Sequence, residues 1–181
     1  IHDFGQMIAN FSKPIAVHIT GQCCSAAYWF SSQASGGISM DPTGIVGSIG
    51  ILMSTSFQEN ADASGRRAVD IVSSGAPNKR PDLSTEEGRD AVRPTLDALE
   101  AVFIAAVAKG RGVTEATVRA DFGKGGTLTG KDAKAVGMVD RVEADGLDGA
   151  IRRLARSAPP AAPRRTAAAN RNALARIRAG Q

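Results

Sequence analysis

The 181-residue chain holds fourteen serines, two histidines and two cysteines, and position has to select among them. Ser25 stands out by where it lies. An apolar run, Ile15 to Ile19, ends at Gly21, and a helix from about Ala26 to Ala34 is about to begin. A hydroxyl at a strand-to-helix turn, followed by the small side chains of Ala26 and Ala27, has room around it, and the first amides of a helix point toward any anion that develops there. That is the setting an activated nucleophile needs. The same position equally suits a serine that only caps a helix.

A serine nucleophile needs a base. His2 lies at the start of the chain, and His18 lies inside the Ile15 to Ile19 run, where a satisfied core or interface histidine is the simpler reading; no Ser-His-Asp triad assembles from these residues. Lysine remains. It must be neutral to accept a proton, and with a reference pKa near 10.4 at most about one part in a thousand of an exposed lysine is neutral at pH 7, whereas burial lowers that pKa by up to roughly 3–5 units. A lysine base must therefore be covered. Lys79, in SSGAPNKRPD, sits in a loop able to fold over a site, although beside Arg80 it also reads as an ordinary solvated lysine. Cys23 and Cys24 have no neighbour to activate them and read as small buried residues. Being adjacent, they close no long loop, and no Cys or His group at metal-ligand spacing accompanies them, so no cofactor and no metal are expected. Gly44, Gly47 and Gly50 are not followed by GK[ST] and suit a tightly packed strand better than a phosphate loop.

The elements that must hold these residues alternate between short apolar runs and helical patterns, which predicts an α/β protein with a parallel sheet and crossover helices. Strands are expected at 15–19, 38–40, from 45 within the apolar run to 53, at 68–72 and at 138–142. A turn is expected at 41–44 and a short helix at 57–63. The composition of 74–85 marks a long exposed or gated loop. Val92, Leu96, Leu99, Phe103 and Val107 recur at helical spacing, so an amphipathic helix runs from Glu86 to Lys109 and stops at Gly110. Thr114 caps a helix to about Phe122, Thr129 with Asp132 caps another ending at Gly137, and a last helix covers 147–158.

Composition narrows the class. Residues 151–181 carry eight arginines and no acid, which leaves 14 basic against 18 acidic groups on residues 1–150, a net of −4 beneath an overall +4. The body is acidic and the basic character belongs to a tail. With 43% hydrophobic residues the body is too apolar for disorder, and no apolar run reaches the roughly 18–20 residues of a membrane span. About 150 residues suit one domain. The division expected is one folded domain at 1–158 and a Pro/Ala/Arg-rich tail at 159–181. Such a tail invites nucleic acid through its arginines, but with no aromatic interleaving it reads as a solvated linker, and nucleic acid is not an expected partner.

Four ordered blocks then carry a family resemblance: KPIAVHITGQCCSAAYWFSSQAS, MDPTGIVGSIGILMS, IVSSGAPNKRPD and FGKGGTLTGKDAKAVGMVDRV. Over about residues 11–142 the chain resembles the signal peptide peptidase A family of Ser/Lys proteases, which has the Clp-protease/crotonase fold. The resemblance implies Ser25 as nucleophile, Lys79 as its base, Ser48 orienting that lysine, and the Ala26 amide as one oxyanion donor, with no metal. The family's second donor lies on a Gly-Gly segment after an earlier strand. Ser35-Gly36-Gly37 lies beyond the nucleophile helix and is no substitute, so the N-terminal strands of the fold are expected to be missing. Within the family, SAAYW, the long NKRPDLSTEEGRD connection and the basic tail look more like the phage or prophage head-maturation branch than the membrane-anchored branch that degrades signal peptides. That implies a polypeptide substrate, capsid or scaffold proteins as partners, a homo-oligomer, and a location in the bacterial host cytoplasm or the phage prohead. An inactive assembly module is the non-enzymatic alternative.

Overall fold

The structure is a computed structural model and describes residues 1–56, 63–66 and 69–157. Helix α1 (His2–Ala9) leads into β1 (Val17–Ile19), which runs almost directly into β2 (Gln22–Cys24) and then into α2 (Ala26–Ser32). The chain repeats this step with β3 (Ile38–Met40) and β4 (Ile45–Gly47). After a one-turn 3-10 helix at Pro77–Lys79 come α3 (Glu86–Arg111), α4 (Glu115–Asp121), β5 (Thr127–Thr129), α5 (Gly130–Ala135), β6 (Arg141–Val142) and α6 (Gly146–Ser157).

The strands form two three-stranded sheets. One is parallel in the order β1-β3-β6; in the other β2 and β4 are parallel and β5 joins β4 antiparallel. Parallel pairing obliges the chain to return by a crossover, and α2 supplies it for both sheets at once, since β1-β2 and β3-β4 each feed the two sheets in succession. The core between sheets and helices is built from Ile19, Ile38, Met40, Val46, Tyr28, Trp29, Phe103, Val107, Phe122 and Met138. Trp29 stacks on Phe103 at 4.7 Å between ring centroids, locking α2 to α3. Tyr28, fully buried, donates its hydroxyl proton to the Met138 carbonyl at 2.8 Å, and burial pushes its pKa well up.

The helix caps follow the sequence closely. Thr85 Oγ1 accepts from the Gly88 amide to open α3, and Thr114 Oγ1 accepts from the Thr117 amide to open α4. Helix α3 continues two residues beyond Lys109 and ends at Gly112, whose φ of 65° is the left-handed turn-off that glycine permits. Gly110 cannot be that stop: it packs so closely on the Ser32 carbonyl of α2 that a side chain there would collide with it. Only the C-terminal half of the expected stripe is in the core. Phe103 and Val107 are buried together with Ile104, while Leu99 is 51% exposed, because α2 and α4 meet the second half of α3 only.

Several expected strands come out shorter. The 15–19 run pairs only over β1, and the 138–142 run only over β6, because Met138 and Val139 turn into the core before pairing begins. The expected strand at 68–72 is not one: residues 69–72 are unpaired, and Val69 and Ile71 face solvent. Of the expected helix at 57–63, residues 57–62 lie outside the described residues, as does the tail at 159–181.

Candidate active site

Ser25 is the residue between β2 and α2. Its backbone takes φ 54° and ψ −125°, a region that residues with a Cβ enter only under strain of roughly 1–3 kcal/mol. The conformation is enforced from both sides: the Ser25 amide donates to the Gly47 carbonyl at 2.9 Å, and its carbonyl accepts from Trp29 at 3.0 Å as α2 begins. The side chain makes no capping bond to α2, so the hydroxyl is left exposed instead of being spent on the helix. The cap reading of Ser25 therefore fails on geometry. Ala26 is the first residue of α2, and no backbone acceptor takes its N–H among the described residues, as expected for the first turn of a helix.

Ser48 is brought beside it by strand register. Cys24 of β2 pairs with Gly47 of β4, so Ser25 and Ser48 are the next residues on two adjacent parallel strands. Ser48 also has a positive φ, 53°, and its amide donates to the Gly126 carbonyl at 2.8 Å. Gly47, with φ 131°, lies so tightly against Gly126 and Thr127 that no side chain fits, which is the close packing its spacing foretold. Among the described residues the third non-glycine residue with positive φ, Lys124 at 49°, lies in the Gly-rich turn that ends at Gly126. It borders, with Ser48, a cavity of about 640 Å³ floored by Ile104, Val118 and Phe122. Neither Ser25 nor Lys79 lines that cavity.

Lys79 is not joined to these serines. It ends the 3-10 turn, its side chain is exposed, and among the described residues no hydrogen bond or ion pair links it to Ser25 or Ser48. The covering that a lysine base requires is thus absent here, because the 73–82 segment lies open to solvent over most of its length. Neighbouring Arg80 pairs instead with Asp70 at 3.0 Å.

The two cysteines are free thiols. Cys23 is buried, Cys24 is half-buried, and burial pushes both pKa values up, which works against forming a thiolate. Cys23 Sγ lies 3.1 Å from Ser31 Oγ. His18 is satisfied on both nitrogens, with Nδ1 at 2.9 Å from Ser39 Oγ and Nε2 at 3.0 Å from Asp41 Oδ1, so it is not a base for Ser25. Ser35-Gly36-Gly37 forms the turn into β3, where the Gly36 amide donates to the Ile15 carbonyl. Among the described residues no helix is long and apolar enough to cross a membrane.

What sequence reasoning missed is β2. Gln22-Cys23-Cys24 is three residues long with no apolar alternation, so the strand that aims Ser25 carries almost no signal of its own; the signal was Gly21 before it and the alanines after it.

Comparison with known proteins bears on the family and the fold. The model of peptidase family S49 matches residues 9–159. Among solved structures, a lysine-to-alanine mutant of the membrane-bound stomatin-specific protease 1510-N in complex with a substrate peptide is similar in fold, with a TM-score of 0.50 at 14% identity over 82% of this chain. The chain spans about half of that protein's length, 55%. No curated protein matches the sequence. The α/β architecture with its parallel strands and crossover helix is that of the Clp-protease-like fold, and the chain belongs to peptidase family S49.

Proposed function

We propose that the chain is a serine endopeptidase working through a Ser25/Lys79 dyad, with Ser48 orienting the lysine and the Ala26 amide donating to the oxyanion. The observation that carries this reading is the Ser25 backbone, φ 54° and ψ −125°, which holds an exposed hydroxyl at the head of α2. Strain of this kind persists where a site needs it. Neutral Lys79 takes the Ser25 proton as Oγ bonds to the peptide carbonyl carbon. The lysinium then returns that proton to the departing amine as the C–N bond breaks, and water hydrolyses the acyl-enzyme with Lys79 again as base. Because Lys79 is exposed, this reading requires a bound polypeptide or a second copy of the chain to cover it before it acts as a base. The substrate is a polypeptide. The sequence features of the head-maturation branch point to capsid or scaffold proteins, cut within a homo-oligomer, with the 159–181 segment as a basic tail outside the peptidase domain.

The test is reaction with a serine-directed acylating probe, followed by peptide hydrolysis. Labelling is expected to vanish in Ser25→Ala, and hydrolysis to fall at least 100-fold in Lys79→Ala. Labelling that survives the first change, or hydrolysis undiminished by the second, overturns the dyad.

A further inference from the structure

His18, in β1, and Asp41, the first residue after β3, lie beside the two places where the chain passes from one sheet to the other. Residues 20–21 connect β1 to β2, and residues 41–44 connect β3 to β4. Ser25 lies seven residues after His18, and Ser48 lies seven residues after Asp41. The backbone is stitched on both sides of the crossing, by the Asp41 amide to the Ile19 carbonyl at 2.9 Å and the Ile45 amide to the Gly21 carbonyl at 2.8 Å. Two side-chain bonds join the segments here: His18 Nδ1 to Ser39 Oγ at 2.9 Å, within the paired strands, and His18 Nε2 to Asp41 Oδ1 at 3.0 Å, which ties β1 to the β3–β4 connection, with the histidine side chain 7% exposed and the aspartate 25%. Gly146, the first residue of α6, closes over it: a Cβ there would lie 3.4 Å from Asp41 Oδ1.

The proton placement follows from the partners. Asp41 presents a carboxylate and only accepts, so Nε2 carries a hydrogen. Nδ1 then accepts from the Ser39 hydroxyl when the ring is neutral. When the ring is charged, Nδ1 donates to Ser39, whose own hydrogen turns to the Val17 carbonyl at 3.3 Å. The bridge to Asp41 survives either state. An apolar pair would pack here without the cost of desolvating a carboxylate, and a buried polar bridge in such a place specifies register more than it adds stability. Register is what the site depends on. Each strand here is only three residues long, and a slip of one position would turn every side chain to the other face.

We propose that His18 and Asp41 are positioning residues for the reaction: their bridge holds the two sheet crossings together and so sets Ser48 against Ser25. This rests on Ser25 being the nucleophile. The two ring nitrogens of histidine can be mimicked separately by side-chain amides, Nε2 by glutamine and Nδ1 by asparagine. In the full chain, His18→Gln, which keeps a donor toward Asp41, is expected to hold the acylation rate of Ser25 within about threefold of wild type. His18→Asn and Asp41→Ala, which lose the bridge, are expected to slow acylation at saturating probe by roughly 10–100-fold, the scale of a misplacement of about 1 Å, with little change in probe affinity. Equal rates in all variants, or a loss confined to affinity, overturn the proposal. If a variant fails to fold, nitrogen NMR of the wild-type imidazole decides: a hydrogen on Nε2, in the neutral or the charged ring, supports the bridge, and the neutral tautomer with its hydrogen on Nδ1 alone refutes it. Labelling that persists in Ser25→Ala would sink the protease reading alone, and the tautomer together with amide exchange at Ser48 in His18→Asn would still judge the bridge, faster exchange supporting it and unchanged exchange refuting it.

Discussion

Replacing Ser25 by glycine should make the protein more stable while removing the proposed nucleophile. At φ 54° and ψ −125° the serine Cβ is strained by roughly 1–3 kcal/mol, and its hydroxyl makes no capping bond that would offset this. Glycine adopts the conformation freely but gives the unfolded chain about 0.4–1 kcal/mol more entropy to lose. The difference is a net gain of about 0.5–2 kcal/mol. At about 2–4 °C per kcal/mol for a domain of this size, Ser25→Gly should melt roughly 1–8 °C above wild type. Ser25→Ala keeps the Cβ and the strain and should melt with wild type. Calorimetry or urea titration of the three proteins is the assay, run beside the acylation probe, which neither variant should take up. A helix-capping serine behaves in the opposite way: alanine would cost about 1 kcal/mol and glycine a few tenths, so both variants would fall below wild type. That result would refute the strain argument and remove the main structural support for Ser25 as nucleophile.

Other perturbations test the scaffold around it. Tyr28→Phe leaves the Met138 carbonyl without the buried hydroxyl at 2.8 Å and should cost about 1–2 kcal/mol by urea denaturation. Gly47→Ala drives a methyl into the Gly126 carbonyl at φ 131° and should cost at least about 3 kcal/mol, whereas Gly112→Ala, at φ 65° with open space around it, should cost only about 1 kcal/mol. Burial works against ionisation of Asp140, but hydrogen bonds from Arg111 at 2.6 Å and the Ile38 amide at 2.6 Å outweigh it and hold the carboxyl below its usual range. A depressed carboxylate stabilises the fold above the unfolded pKa of about 3.9, and that contribution is lost as pH falls through the lower folded value. Asp140→Asn should therefore flatten the acid limb of stability below about pH 4, measured as melting temperature against pH.

Helix starts were legible because they are local. Thr85, Thr114 and Thr129 each precede a helix, since a threonine side chain can satisfy an amide two or three residues ahead without help from distant parts of the chain. Only two of the three make that bond: Thr129 precedes α5 but gives it no side-chain hydrogen bond, so the expected cap there is not formed. The small residues around Ser25 and the Gly-rich steps near Ser48 were legible for a similar reason, as steric demands written in residue size. The α/β class followed from alternation of apolar runs with helical spacing. Strand lengths did not, because a three-residue strand is defined by its partners, and β2, β5 and the shortened β6 exist only through pairing with residues far along the chain. The end of α3 was misplaced by the same blindness: Gly110 looks like a stop until the Ser32 carbonyl is seen to need its missing side chain.

By itself, then, the sequence determined which residues have the chemistry: a serine with room around it, a lysine in a long polar loop, and a histidine in a strand. Tertiary structure alone decided their relations. It set Ser25 in a glycine-like conformation, placed Ser48 next to it through the Cys24–Gly47 register, tied His18 to Asp41 instead of to a nucleophile, and left Lys79 in solvent. The physical reason is that reactivity depends on angles and distances between groups from separate strands, and those are fixed by sheet register and helix packing, which no local stretch of residues contains.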